Sequence, residues 1–243
     1  MKINIKIFYT YNLIYKQMKK IEKYDSFIKE AQELPEQSQD DNNSRSGRVL
    51  TQAQKEYEES PELQEKTGPM PAMMFTDVEG SSKMWSDDPQ KMNEQLENHH
   101  KLIQQVSEKH NGWIVKTIGD AFMVYFEPSG DSLVDAVKCA KEIIQTENAY
   151  NLRIGICQGF MDEKTYRIQK VDLRDFFGNS VNTASRMESK VAGKGGTIAF
   201  CSTKPIGNYM GPLRSIGKVF EVKLANYDLR GATIEKAYKM KVK

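Results

Sequence analysis

The stretch KTIGDAFMVYF, residues 116–126, contains the turn that decides how this chain folds. Gly119-Asp120 separates two apolar runs, GWIVKTI and AFMVYF, and glycine supplies the positive φ that a tight turn demands. The sequence therefore predicts a β-hairpin with Asp120 at its tip. Lys116 lies between Val115 and Thr117 in the first run, so its side chain either faces solvent or meets a specific acceptor.

Strand and helix patterns alternate on both sides of this hairpin. Before it, AMMFTDV predicts a buried strand, followed by a helix with Leu96, His100, Ile103 and Val106 at helical spacing. After it, helices are predicted from DSLVDAVKCAKEIIQTEN and NSVNTASRMESKV, and strands from NLRIGICQGF and GTIAFCS. Two closing strands are predicted from SIGKVFEVKL and EKAYKMKV. Strands and helices mixed in this order predict an α/β sandwich, with helices covering one sheet.

Composition restricts the classes of protein that this chain can be. Of its 243 residues, 39% are hydrophobic and 28% charged, and the formal net charge is +2, so a nucleic-acid partner is not expected. No apolar run approaches the roughly 18 residues of a membrane span, so no transmembrane segment is expected. The three cysteines are widely separated and odd in number, which favours a reducing, cytoplasmic location over a disulfide framework or zinc site.

The first 69 residues differ in composition from the rest. Residues 1–33 predict an amphipathic helical extension, because apolar side chains recur there at spacings of three and four. This helix could dock on its own domain, pair with another copy, recruit a regulatory or scaffold protein, or lie on a membrane surface. Residues 34–69 are too polar to bury a core and predict a flexible linker, which leaves residues 70–243 as the main folded domain.

Two carboxylates are candidates for chemistry. Asp77 lies at the end of a buried strand and Asp120 at the hairpin tip, so neighbouring strands would bring both to one edge of the sheet. Paired carboxylates suit Mg²⁺ that is held together with substrate phosphates, and backbone N–H groups of residues 79–82 would suit the phosphates. Each residue alone also fits an ordinary structural role, since Asp is common in turns and before Gly-Ser caps.

A second group of polar residues lies further along the chain. Asn182 and Arg186 are four apart in a predicted helix, which places them on one face, where they could stabilise charge on a phosphoryl group. Arg186 could instead form a solvated pair with Glu188. Asp175 precedes the apolar turn FFG and could simply be a residue approaching the helix.

Four motifs occur in an order and at spacings that resemble the catalytic domain of class III adenylate and guanylate cyclases. They are FTDVEGSS, VKTIGDAFMVYF, DFFGNSVNTASRMES and GGTIAFC, and their wording is most similar to fungal and protozoan adenylate cyclases. The resemblance covers residues 71 to about 240 and implies that residues 70–243 form the catalytic domain. It implies a ferredoxin-like, palm-type domain with helices packed on a mostly antiparallel sheet.

The resemblance also implies roles for individual residues. Asp77, the backbone carbonyl of Val78, and Asp120 would bind two divalent ions, Mg²⁺ or Mn²⁺, in each active site. Asn182 would orient the ribose and Arg186 would stabilise the transition state. The reaction implied is conversion of ATP to 3′,5′-cyclic AMP and pyrophosphate, by attack of the ribose 3′-hydroxyl on the α-phosphate.

Base selection in this family rests on two positions that match Lys116 and Asp175. A lysine can donate to adenine N1 and an aspartate can accept from the N6 amine, whereas guanine would require the reverse polarity. Asp172 could compete with Asp175 for this role, because the preceding segment is longer than usual. Near the C-terminus, Arg230 stands where the family often has a lysine that contacts the triphosphate.

The family's active sites lie in the interface of two head-to-tail domains. Metal-binding residues come from one domain, and base-selecting and transition-state residues come from the other, so one catalytic domain carrying both sets implies a homodimer that binds ATP. Two alternatives stay open: a guanylate cyclase, and a non-catalytic cyclase-like module that binds nucleotide or supports a partner subunit.

Overall fold

The computed structural model describes residues 69–168, 171–227, 229 and 234–243. The predicted N-terminal helix, the predicted linker apart from residue 69, and Arg230 lie outside the described residues. Within those described, no helix has both the length and the apolar composition needed to cross a bilayer.

The described residues form nine strands and five α-helices. The strands are β1 (Met70–Val78), β2 (Gly112–Ile118), β3 (Ala121–Ser129), β4 (Leu152–Gln158), β5 (Asp162–Ile168), β6 (Val171–Phe177), β7 (Thr197–Ser202), β8 (Val219–Val222) and β9 (Ala237–Lys241). The helices are α1 (Ser81–Asp87), α2 (Pro89–Lys109), α3 (Ser132–Thr146), α4 (Asn179–Arg186) and α5 (Met210–Ile216). A π-helical turn, Met187–Ala192, continues α4, and 3₁₀ turns occupy Gly207–Tyr209 and Leu224–Asn226.

Seven strands make one sheet in the order β2-β3-β1-β4-β7-β9-β8. Its pairs are antiparallel except β4–β7, which is parallel. The unit β1-α2-β2-β3-α3-β4 places its strands in the order β2-β3-β1-β4, which is ferredoxin-like. The predicted mixed sandwich on a mostly antiparallel sheet is therefore confirmed.

Apolar side chains cover both faces of the sheet. On one face, Met74 and Ile154 belong to the same core as residues of α2 and α3. On the other, Met73 packs with α4 and the π-helical turn. That turn lies directly on Gly155 of β4, where a Cβ would come within 2.0 Å of the backbone nitrogen of Glu188, so only glycine allows so close an approach.

The predicted hairpin is confirmed. β2 ends at Ile118 and β3 begins at Ala121, and Gly119 takes φ +65° in the two-residue turn between them. The register of the two strands shifts between Ile114 and Lys116, which places a β-bulge at Val115.

Two parts of the structure were not predicted. β5 and β6 form a separate antiparallel ribbon, in which Lys164 pairs with Asp175. The short helix α5 was also missed. The ribbon matters for the site because its second strand carries Asp175.

Candidate active site

The structure brings Asp77 and Asp120 to the same end of the sheet. β1 pairs with β3 so that Thr76 lies opposite Phe122. Asp77 follows Thr76 directly, and Asp120 precedes Phe122 by two residues in the turn. The shared sheet edge expected for these carboxylates is therefore present.

Asp120 is buried in a way that suits a cation. Its side chain has an atom, Oδ2, that is buried and has no hydrogen-bond partner among the described residues, and the residue as a whole is 9% exposed. A buried acceptor without a donor costs free energy unless something else satisfies it. A divalent ion would supply that interaction, so this carboxylate fits the implied metal.

Asp77 lies in a charge cluster that the sequence did not predict. The guanidinium of Arg153, opposite it on β4, binds its carboxylate through Nη2. Arg153 Nε also lies 3.1 Å from Oε1 of Glu188, where the atoms are not aligned for a hydrogen bond, so this contact is electrostatic. Burial and the negative charge of Asp77 together raise the pKa of Glu188 to about 7, although the positive charge of Arg153 opposes the rise.

The protein supplies few metal ligands of its own at this edge. Among the described residues, no three His, Cys, Asp or Glu side chains are grouped as a metal site. Val78, whose carbonyl is a predicted ligand, is the last residue of β1 and pairs with Leu152. Two carboxylates and a carbonyl suit Mg²⁺ that takes its remaining ligands from substrate phosphates and water.

Lys116 meets a specific acceptor. Its Nζ lies 2.5 Å from Oδ2 of Asp175. The bulge at Val115 explains this contact: Ile114 opposes Val124 in the core under α2, but Lys116 opposes Met123, whose side chain belongs to the α4 side. Without the extra residue Lys116 would point to the α2 side, away from the ribbon.

Asp175 is the carboxylate that reaches Lys116, and Asp172 is not. The other oxygen of Asp175, Oδ1, accepts a hydrogen bond of 2.9 Å from the backbone N–H of Phe176. Asp172 instead lies 3.7 Å from Arg167 on the exposed ribbon. The structure therefore brings Lys116 and Asp175 together and leaves Asp172 outside this pair.

Asn182 and Arg186 lie on one face of α4, as the spacing predicted. Asn182 is exposed and Arg186 half-buried, and within the described part of the chain neither side chain has a hydrogen bond or an ion pair. Glu188, the alternative partner of Arg186, is buried and faces Arg153. Both α4 side chains therefore have polar groups available for a ligand.

One expected phosphate contact is not available. The N–H of Glu79 donates a hydrogen bond of 2.8 Å to the carbonyl of Asn151, so it is already satisfied. This corrects the expectation that all N–H groups of residues 79–82 suit phosphates.

Comparisons with known proteins identify the family of this chain. A family model described as Adenylate and Guanylate cyclase catalytic domain matches residues 64–238. A receptor-type adenylate cyclase of Trypanosoma brucei brucei is 24% identical over 210 residues, in an alignment covering 62% of this chain and 35% of the relative. An adenylate cyclase of Podospora anserina is 30% identical over 155 residues, which cover 54% of this chain and 7% of that protein.

A solved structure shares the fold. The guanylate cyclase domain of RhGC from Catenaria anguillulae, in complex with GTP, superposes with a TM-score of 0.58 at 22% identity, covering 71% of this chain and 96% of that one. This chain spans only about a third of the length of the trypanosome relative and less than a tenth of the Podospora protein. Since the family model matches well over half of its residues, the chain belongs to the adenylate and guanylate cyclase catalytic domain family.

Proposed function

We propose that this protein is an adenylate cyclase, which converts ATP to 3′,5′-cyclic AMP and pyrophosphate. The observation that carries the choice of ATP is the contact between Lys116 and Asp175. It places one donor and one acceptor side by side, and adenine presents an acceptor at N1 next to a donor at N6. Guanine presents the opposite polarity at these positions, so it would leave both groups mispaired.

Asp77 and Asp120 would hold two divalent ions, with the carbonyl of Val78. When bound, such ions lower the pKa of the ribose 3′-hydroxyl and neutralise the triphosphate. Support for this assignment comes from the common sheet edge and from the unpartnered Oδ2 of Asp120. The contribution of the chain itself is to fix these oxygens at the end of two adjacent, buried strands.

Charge on the phosphates would be met by arginines. Arg186 and Asn182 project together from α4, so the amide can orient the ribose while the guanidinium stabilises charge that develops at the α-phosphate. Arg153 lies against Asp77 and could pair with the triphosphate at the same edge. Arg230 remains a further proposed triphosphate contact from outside the described residues.

A complete site would be shared by two chains in a head-to-tail homodimer. The contacts of Lys116 and Asp120 support a shared site, because the two residues are close in sequence but have different neighbours. Lys116 lies on the α4 side against Asp175, whereas the Asp120 backbone is bound from α2 by His99. Each residue would then serve a different active site of the dimer, with Asp120 holding metal and Lys116 reading the base of the nucleotide bound by the partner.

The test is a cyclisation assay on the purified full chain with Mn²⁺ and either ATP or GTP. We expect cyclic AMP from ATP and a much slower reaction with GTP. Faster conversion of GTP would show a guanylate cyclase. No cyclic nucleotide from either substrate, in a sample verified as a dimer, would contradict an enzymatic role for this protein alone.

A further inference from the structure

Two adjacent histidines of α2 lie against the hairpin tip. His99 is fully buried, and its Nε2 donates a hydrogen bond of 3.2 Å to the backbone carbonyl of Asp120. The His100 ring faces the backbone of Gly119 and makes an edge contact with Phe122, with ring centroids 4.8 Å apart. Helix α2 therefore contacts both residues of the turn.

A buried glutamate holds His99 from the other side. Nδ1 of His99 lies 2.8 Å from Oε2 of Glu147, a residue only 5% exposed. Oε1 of Glu147 accepts a hydrogen bond of 2.8 Å from the N–H of Ala149. Burial alone would raise the pKa of Glu147, but the bonds from His99 and Ala149 outweigh it and lower that pKa.

Hydrogen-bond chemistry fixes the direction of this chain of contacts. A backbone carbonyl only accepts, so Nε2 of His99 donates to Asp120, and Nδ1 is left facing the carboxyl group of Glu147. Edge contacts from Phe122 at 5.7 Å and Tyr150 at 5.1 Å fix the plane of the ring.

Contacts to the backbone of Asp120 matter because no described residue binds its carboxylate. Oδ2 has no partner among the described residues, and the turn contains Gly119, whose backbone is conformationally permissive. The place of the carboxylate is therefore set through the backbone of the turn, and His99 is the side chain that binds the Asp120 carbonyl.

We infer that His99 and Glu147 are positioning residues, which act through the Asp120 backbone to set the position of the Asp120 carboxylate. The inference rests on the proposed role of Asp120 as a metal ligand. Groups that hydrogen-bond to a metal ligand and so orient it typically contribute about 10- to 100-fold to metal affinity or activity. His99 and Glu147 would do so without touching the metal or the nucleotide.

The experiment measures metal binding rather than turnover. Mn²⁺ is titrated into the purified full chain with 3′-deoxy-ATP or 3′-deoxy-GTP, which lack the attacking hydroxyl, and protein-bound Mn²⁺ is followed by water proton relaxation. His99→Leu removes the donor and His99→Gln keeps one. Tyr150→Phe is the matched control, because it removes a buried hydrogen bond of 3.1 Å to the Met92 carbonyl while keeping the ring beside His99.

We expect His99→Leu to weaken Mn²⁺ binding by about 10-fold, and His99→Gln and Glu147→Gln by less. Tyr150→Phe should bind Mn²⁺ as tightly as the unchanged protein does, even if its melting temperature falls. If His99→Leu does not fold, His99→Gln and Glu147→Gln carry the test.

Two results would overturn the inference, and they differ. Folded His99 and Glu147 variants that bind Mn²⁺ like the unchanged protein would show a purely structural role and leave the proposed function intact. An unchanged protein that binds no Mn²⁺ with either nucleotide would remove the proposed metal site, and the inference with it.

Discussion

The ammonium of Lys116 lies 2.5 Å from the carboxylate of Asp175, although 59 positions separate the two residues in the chain. One belongs to the central sheet and the other to the separate β5–β6 ribbon. Their contact forms a donor–acceptor pair in which Asp175 is partly buried and Lys116 exposed. Such a pair can read the edge of a base, and each part of it can be changed separately.

Reversing the charge of Lys116 should alter the choice of base. Lys116→Glu replaces a donor by an acceptor, so adenine N1 would face a carboxylate, and we expect kcat/KM for ATP to fall by about 10- to 100-fold. The ratio of GTP to ATP turnover should rise. Lys138→Glu, an exposed change on α3, is the control and should leave the ratio unchanged. An unaltered ratio in Lys116→Glu would exclude this residue from base selection.

Asp120→Ala should separate stability from activity. The change removes a buried carboxylate oxygen without a described partner, a group that costs about 1 to 3 kcal/mol when unsatisfied, so the melting temperature in EDTA should stay or rise. Cyclase activity with Mn²⁺ should fall by at least about 100-fold. Asp131→Ala, which removes an exposed carboxylate with no capping bond, should keep full activity. Activity retained in Asp120→Ala would contradict the metal assignment.

Glu188 should make stability depend on pH. Its pKa of about 7 lies above the ordinary glutamate value of 4.5, so between these values the folded state binds more protons than the unfolded chain. The free energy of unfolding should therefore fall as pH rises through this window, by at most about 1.4 kcal/mol per pH unit.

Glu188→Gln should flatten the dependence of stability on pH, because a glutamine side chain does not titrate. Urea unfolding in EDTA between pH 4.5 and 7.5 measures the effect, with the exposed Glu221→Gln as the control. A slope in Glu188→Gln equal to that of the unchanged protein would show that another group is responsible.

The fold was predictable wherever burial leaves a regular pattern. β1 and β4 have almost continuously buried residues, and the hairpin has a glycine turn between apolar runs, so all three were found. The β5 strand is exposed throughout, so no hydrophobic face marks it. Helix α5 contains Pro212 near its start, which looks like a helix breaker but is tolerated in the first turn.

The sequence suggests the candidate residues of the site but not the contacts that they make. Lys116 contacts Asp175 only because the β-bulge at Val115 turns the lysine side chain to the other face of the sheet. No local sequence pattern predicts that bulge. Arg153 was missed although it gives the same signal as Lys116, a charge within an apolar strand. The role of His99 depends on α2 crossing the hairpin tip, which is a long-range property of the fold.

Mixing two inactive variants tests the shared cyclase site most directly. Asp77→Ala lacks a proposed metal carboxylate and Arg186→Ala lacks the proposed transition-state guanidinium, so each alone should make almost no cyclic AMP from ATP. Equal amounts, combined so that dimers exchange, should recover about a quarter of the unchanged activity, because half of the dimers are mixed and each keeps one complete site. Verified mixed dimers that remain inactive would contradict the account.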